Sequence, residues 1–95
     1  MGVQFNAYDP DTDTFASDPV DMGYTTAVRV GDLLGLTFVT ATTAERECTL
    51  TQLRNGLELL PDGHRDQLIN QRLGELLRLL LAAEKHHTDL RITWG

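Results

Sequence analysis

The sequence has one cysteine, Cys48, one serine, Ser17, no lysine or arginine in its first 24 residues, and no uninterrupted apolar run of bilayer length. Each scarcity removes a class of protein. A single thiol cannot close an intrachain disulfide, which excludes a disulfide-stapled secreted scaffold and makes a reducing cytoplasm the expected compartment. The longest apolar stretch, LLRLLLAA, is broken by Arg78 and falls far short of the ~20 residues that span a bilayer. The opening MGVQFNAYD has no basic region leading into an apolar one, so neither export by a signal sequence nor a membrane span is expected.

Catalytic vocabulary is equally sparse. Ser17 stands in no G-x-S-x-G elbow, and Cys48 has no histidine beside it in sequence. Gly31 and Gly35 fall within VGDLLGL, with leucines where a phosphate cradle needs open backbone. Neither an enzyme nor a cofactor is expected.

What is present is acid, concentrated at one end. Of a net charge of −6, the first 24 residues supply Asp9, Asp11, Asp13, Asp18 and Asp21 with no base, while residues 25 to 95 carry nine acids and eight bases. Scattered arginines on an acidic chain give no basic stripe to neutralise phosphates, so direct nucleic-acid binding is not expected. With 41% apolar residues the chain is too hydrophobic for disorder. Its length suits one domain over 1–95, an acidic strand and loop over 1–24 joined to a helical body with a closing strand over 25–95.

VQFNAY alternates Val3, Phe5 and Ala7 against Gln4, Asn6 and Tyr8, the period of a half-buried strand. DPDTD follows as a turn and TFAS as a short return strand. AVRVGDLLGL reads as a helix capped by Thr25 or Thr26 and ended at Gly35. LTFVTA with ERECT reads as a strand or irregular crossing. Thr49 and Gln52 stand at capping-box spacing before a stripe of Leu50, Leu53, Leu57 and Leu60, which PDG at 61–63 stops.

A long helix is expected from about His64 to His87, with Ile69, Leu73, Leu76, Leu80 and Ala83 at alternating spacings of four and three. Leu68, Leu77, Leu79 and Leu81 widen its apolar arc to roughly 220°, more than one packed face requires. That arc suits a central core helix, or a helix whose edge around Leu79 and Leu81 is an oligomer surface. LRITWG closes the chain as a strand expected to pair with VQFNAY. The expected class is α+β: a small antiparallel sheet from the terminal strands packed on about three helices, the last long and central.

The combination of DMGYTTAVRVGDLLGL, a middle leucine helix and QRLGELLRLLLAAEKHHTDLRITWG resembles uncharacterised small acidic bacterial or phage-borne proteins. These join an N-x-x-x-(V/L)-L-x-x-L-G-L helix to a Y-x-x-x-R-L-x-x-L-x-x-L-x-x-x-A…V-x-W-G tail. Here Asn70 precedes Arg72 and Leu73 without the tyrosine. The resemblance implies an architecture and no activity.

Three readings of the acidic segment stand side by side. Asp9, Asp11 and Asp13 repeat the start of a calcium loop, but Thr14 and Val20 occupy the places of its glycine and its bidentate glutamate. A solvated hairpin turn is the plainest reading. The third is a contact surface for a basic-surfaced partner, with Tyr8, Phe15 and Tyr24 as aromatic anchors among the five aspartates. Glu84 and His87 lie at i, i+3, yet zinc needs three or four ligands and no second cluster exists. No metal site is expected, and histidines at a helix C-terminus are favoured by its dipole alone. The functional expectation is therefore a non-catalytic inhibitor, immunity or counter-defence protein that neutralises a larger protein through its acidic surface. The alternatives are a homo-oligomeric structural or adaptor protein built on the leucine arc, including a homodimer, and a calcium-binding module.

Overall fold

In the computed structural model of this chain, residues 2–16, 18–36, 47–60, 65–86 and 89–95 are described. The elements are β1 (Gly2–Asp9), β2 (Thr14–Phe15), β3 (Val20–Gly23), α1 (Tyr24–Leu33), β4 (Glu47–Thr49), α2 (Leu50–Glu58), α3 (Gln67–His86) and β5 (Arg91–Trp94). Five antiparallel strands pack on three helices, the last the longest, so the class is α+β as expected.

β1 is central because both its edges are used. Along one edge it pairs with β5, Phe5 opposite Trp94 and Ala7 opposite Ile92, and β5 in turn pairs with β4. Along the other it pairs with β2 near Tyr8 and with β3 near Val3. The pairing of the terminal segments is thus present. The alternation read from sequence also holds: Val3, Phe5, Ala7, Ile92 and Trp94 are buried on the face that meets the helices. Gln4, Tyr8, Asp21 and Glu47 occupy the opposite face, where Asn6, only 8% exposed, donates to the Gln4 side chain.

β3 was expected as loop. Val20 and Met22 give only two inward positions, too few for a readable period, and Pro19 and the aspartates argue against a strand. Tertiary pairing with β1 overrides that composition. α1 begins one residue earlier than Thr25, with Gly23 as an N-cap that makes no side-chain cap bond, and it ends where Gly35 takes a left-handed φ of 72°. The capping box is present: Gln52 N–H donates to Thr49 Oγ1, and Thr49 N–H donates to Gln52 Oε1. α3 starts later than His64, because the Asp66 carboxylate accepts from the Leu68 and Ile69 amides and so acts as its cap. The expected strand LTFVTA from Thr37 onward, most of its ERE continuation, PDG, His64 and His87 lie outside the described residues.

Leu76, Leu80 and Ile69 of α3 are buried with Leu53 of α2 and Val30 of α1 against Phe5 and Ile92 of the sheet. Each such side chain contributes about 2 kcal/mol of transfer free energy, so this layer holds the fold. α2 and the turn after α1 meet where Gly56 faces Leu34; a Cβ there would stand 2.7 Å from the Leu34 carbonyl oxygen. One expectation fails at the arc's edge. Leu79 is 3% exposed and belongs to the core, facing the β3 side, whereas Leu81 is 45% exposed. The arc is wide because α3 is covered on one flank by α2 and on the other by β3. Among the described residues no helix is long and apolar enough to cross a membrane.

Candidate functional site

The β1–β2 hairpin assembles five of the eight residues singled out as a partner-binding surface. Tyr8 and Phe15 are cross-strand partners, as are Asp9 and Thr14. The two rings meet edge to face at 6.1 Å between centroids, a geometry that aromatic quadrupoles favour. Their side of the sheet carries no helix among the described residues, so Phe15 is left 61% exposed.

The turn is built from its own polar groups. Asp9 Oδ1 accepts from the Asp11 amide at 2.9 Å, and the Thr12 and Thr14 hydroxyls are 2.6 Å apart. Asp13 takes the left-handed backbone, φ 56°, which aspartate tolerates better than most residues. Its carboxylate accepts the Tyr8 hydroxyl proton at 2.5 Å. That bond is the first reason the Tyr8 hydroxyl titrates above its ordinary range, followed by desolvation and by the neighbouring carboxylates. The chain therefore holds the aromatic pair in one orientation beneath a rim of carboxylates.

Electrostatic compensation lies elsewhere. Arg29 pairs with Asp66, Arg54 with Glu84 and Glu58, Arg72 with Glu75, and Arg91 with Glu47. Among the described residues Asp11, Asp13 and Asp18 have no ion pair.

The other three residues are not part of this cluster. Asp21 lies opposite Gln4, accepting from its Nε2 at 3.1 Å, and Gly23, next to Tyr24, lies opposite Gly2. From Asp9 to Gln4 the chain advances five residues along β1, about 16 Å at ~3.3 Å per residue. Asp21 and Tyr24 thus occupy the far end of the sheet, and Tyr24 opens α1 with half its surface exposed. Asp18 sits between β2 and β3 and lines a hollow together with Glu75 and Arg78 of α3. The five aspartates form a tip, a linker and a far end, where the sequence suggested one face.

Among the described residues no three His, Cys, Asp or Glu side chains come together to hold a metal ion. Within the calcium-like spacing, Asp9 accepts from the Asp11 amide of its own loop and Asp13 from the Tyr8 hydroxyl. Glu84 is engaged by Arg54 across α2 and α3. Cys48 is buried on the helix-facing side of β4, and burial pushes its thiol up to about 12, with the Arg91 charge opposing the shift and Glu47 adding to it. The thiol is protonated at neutral pH and offers no nucleophile. Two features escaped sequence reasoning. Arg91 and Glu47 pair across β5 and β4, which required knowing the strand order. Arg78 has no ion pair among the described residues, although its spacing to Glu75 suggests one.

No protein-family model matches this sequence, and no curated protein and no solved structure matches it.

Proposed function

We propose that this chain is a non-catalytic binding module that inhibits or neutralises a larger protein with a basic surface, in the manner of an immunity or counter-defence protein. Its contact element in this reading is the β1–β2 hairpin. The observation that carries it is Phe15, a large aromatic side chain exposed on an oriented Tyr8, rimmed by Asp11 and Asp13, which have no ion pair among the described residues. An exposed, held aromatic ring supplies anchoring area at small entropic cost, and an uncompensated acidic rim speeds encounter with a basic patch. A cytoplasmic setting belongs to the same proposal and is supported by the single thiol.

The test is capture of partners from native-host lysate by the wild-type chain, by Phe15→Ala, and by a hairpin with Asp9, Asp11 and Asp13 changed to Asn. One partner held by the wild type and lost by both variants is the expected result. A partner retained equally by all three would remove the hairpin from the interface.

A second reading is self-association through Leu77 and Leu81, one turn apart on α3 and each more than two-fifths exposed. It predicts a mass that rises with concentration and that Leu81→Lys returns to the monomer value.

A further inference from the structure

β3 is an edge strand with α3 beside it. Gln4 and Gly95 exchange both backbone hydrogen bonds, Gln4 N to Gly95 O at 3.0 Å and Gly95 N to Gln4 O at 3.3 Å. In an antiparallel ladder consecutive residues point their backbone groups to opposite sides. Val3 and Phe5 therefore bond toward β3, through Met22 and Val20, and the Asp21 N–H and C=O and the Gly23 N–H point away from the sheet. Among the described residues nothing pairs with them.

A groove runs beside that edge. One hollow, of about 410 Å³, lies beside Asp18, Pro19 and Val20; a second, of about 610 Å³, opens at the end of the sheet, where Asp21, Met22 and Gly23 meet Gly2, Val3, Gln4 and Gly95. Arg72, Glu75, Arg78, Leu79 and Ala82 form the helix side. The strand and helix walls run antiparallel, Arg72 lying near Gly23 and Ala82 near Asp18. Five residue steps from Asp18 to Gly23 at ~3.3 Å and ten from Arg72 to Ala82 at ~1.5 Å give walls of nearly equal length, about 16 Å and 15 Å.

We propose that this groove takes an extended peptide of a partner protein, added as a further strand on β3, with a basic residue placed between two apolar ones. Backbone groups aimed outward in the plane of a sheet select an extended chain. Alternation then sets its side chains. The residue opposite Asp21 lies on the helix-free face beside that carboxylate, where a cation is favoured. One neighbour lies opposite Val20, where Leu79 and Ala82 line the hollow, and the other opposite Met22, on the side of Arg72. Asp18 adds negative charge at the same end, opposed there by Arg78, while Glu75 is already held by Arg72, so the cation preference rests on Asp21. Pro19 and the two aspartates discourage β3 from pairing with another copy of itself, which favours a basic strand over a second acidic chain. The inference stands whether or not the hairpin engages a partner.

The test uses an acetylated, amidated peptide Thr-Val-Lys-Val-Thr, its glutamate counterpart and its N-methyl-valine counterpart, titrated at up to millimolar concentration into isotope-labelled protein. The lysine peptide is expected to shift amides over residues 18–23 and 72–82 and to slow hydrogen exchange at the Asp21 and Gly23 amides. N-methylation should abolish both effects, and the glutamate peptide should bind roughly fivefold more weakly or worse. In Asp21→Lys, which places a tolerated charge on an edge strand, the preference should invert. Shifts confined to residues 9–15 would show only lysine attracted to the acidic hairpin and would overturn the groove while leaving the hairpin reading intact. No shift with the lysine peptide would overturn it as well.

Discussion

The β1–β2 hairpin and the α2–α3 pair are held by opposite means. α3 buries Ile69, Leu73, Leu76 and Leu80 almost completely, so its order comes from packing. The hairpin buries little beyond β1 itself; Asp9, Asp13, Thr12 and Thr14 order it through short polar bonds, leaving Phe15 in the open. Substitutions should therefore act on stability in one region and on recognition in the other.

The comparison can be broken most forcefully in the core. Leu76→Ala, at a position with no exposed surface, should cost about 3 kcal/mol of unfolding free energy, read from the urea midpoint. Gly56→Ala should cost about 2 kcal/mol by overpacking, because the new methyl meets the Leu34 carbonyl. In an open helix position the same change would stabilise, so the sign alone is informative. Thr49→Ala, which removes the capping-box hydroxyl, should cost about 1 kcal/mol. At the other extreme Phe15→Ala should move the midpoint by less than about 0.5 kcal/mol.

A pH series sharpens the same contrast. The folded Cys48 thiol ionises near 12 against an ordinary 9.0. A raised acid pKa means that the native state holds the proton more tightly than the unfolded state does. The contribution is fully present below about pH 9 and is lost as pH rises toward 12. Urea midpoints should fall over that window in the wild type and fall less in Cys48→Ala. A thiol reagent at pH 8 should label Cys48 only at the rate of unfolding.

Most of the architecture was legible because it rests on period. The 3.6-residue repeat in α3, the alternation in β1 and β5, and the Thr49–Gln52 spacing each encode a local requirement that the fold obeys. β3 was not legible, because its pairing comes from β1 and its own residues are turn formers. The width of the α3 arc was readable but its cause was not. Leu79 and Leu81 are two residues apart, and only the position of β3 decides that one is core and the other surface. The acidic segment shows the same limit. Composition revealed five aspartates and three aromatics, and only the register of β1 separates Tyr8, Asp9, Asp11, Asp13 and Phe15 from Asp18, Asp21 and Tyr24.

The most direct measurement is a titration of the captured partner with wild-type chain and with Phe15→Ala, at low and high salt, beside a melting curve of each. The account predicts at least a roughly tenfold loss of affinity with an unchanged melting temperature, and a wild-type affinity that weakens as salt rises. Equal affinity for the two chains would contradict it and return the hairpin to a plain turn.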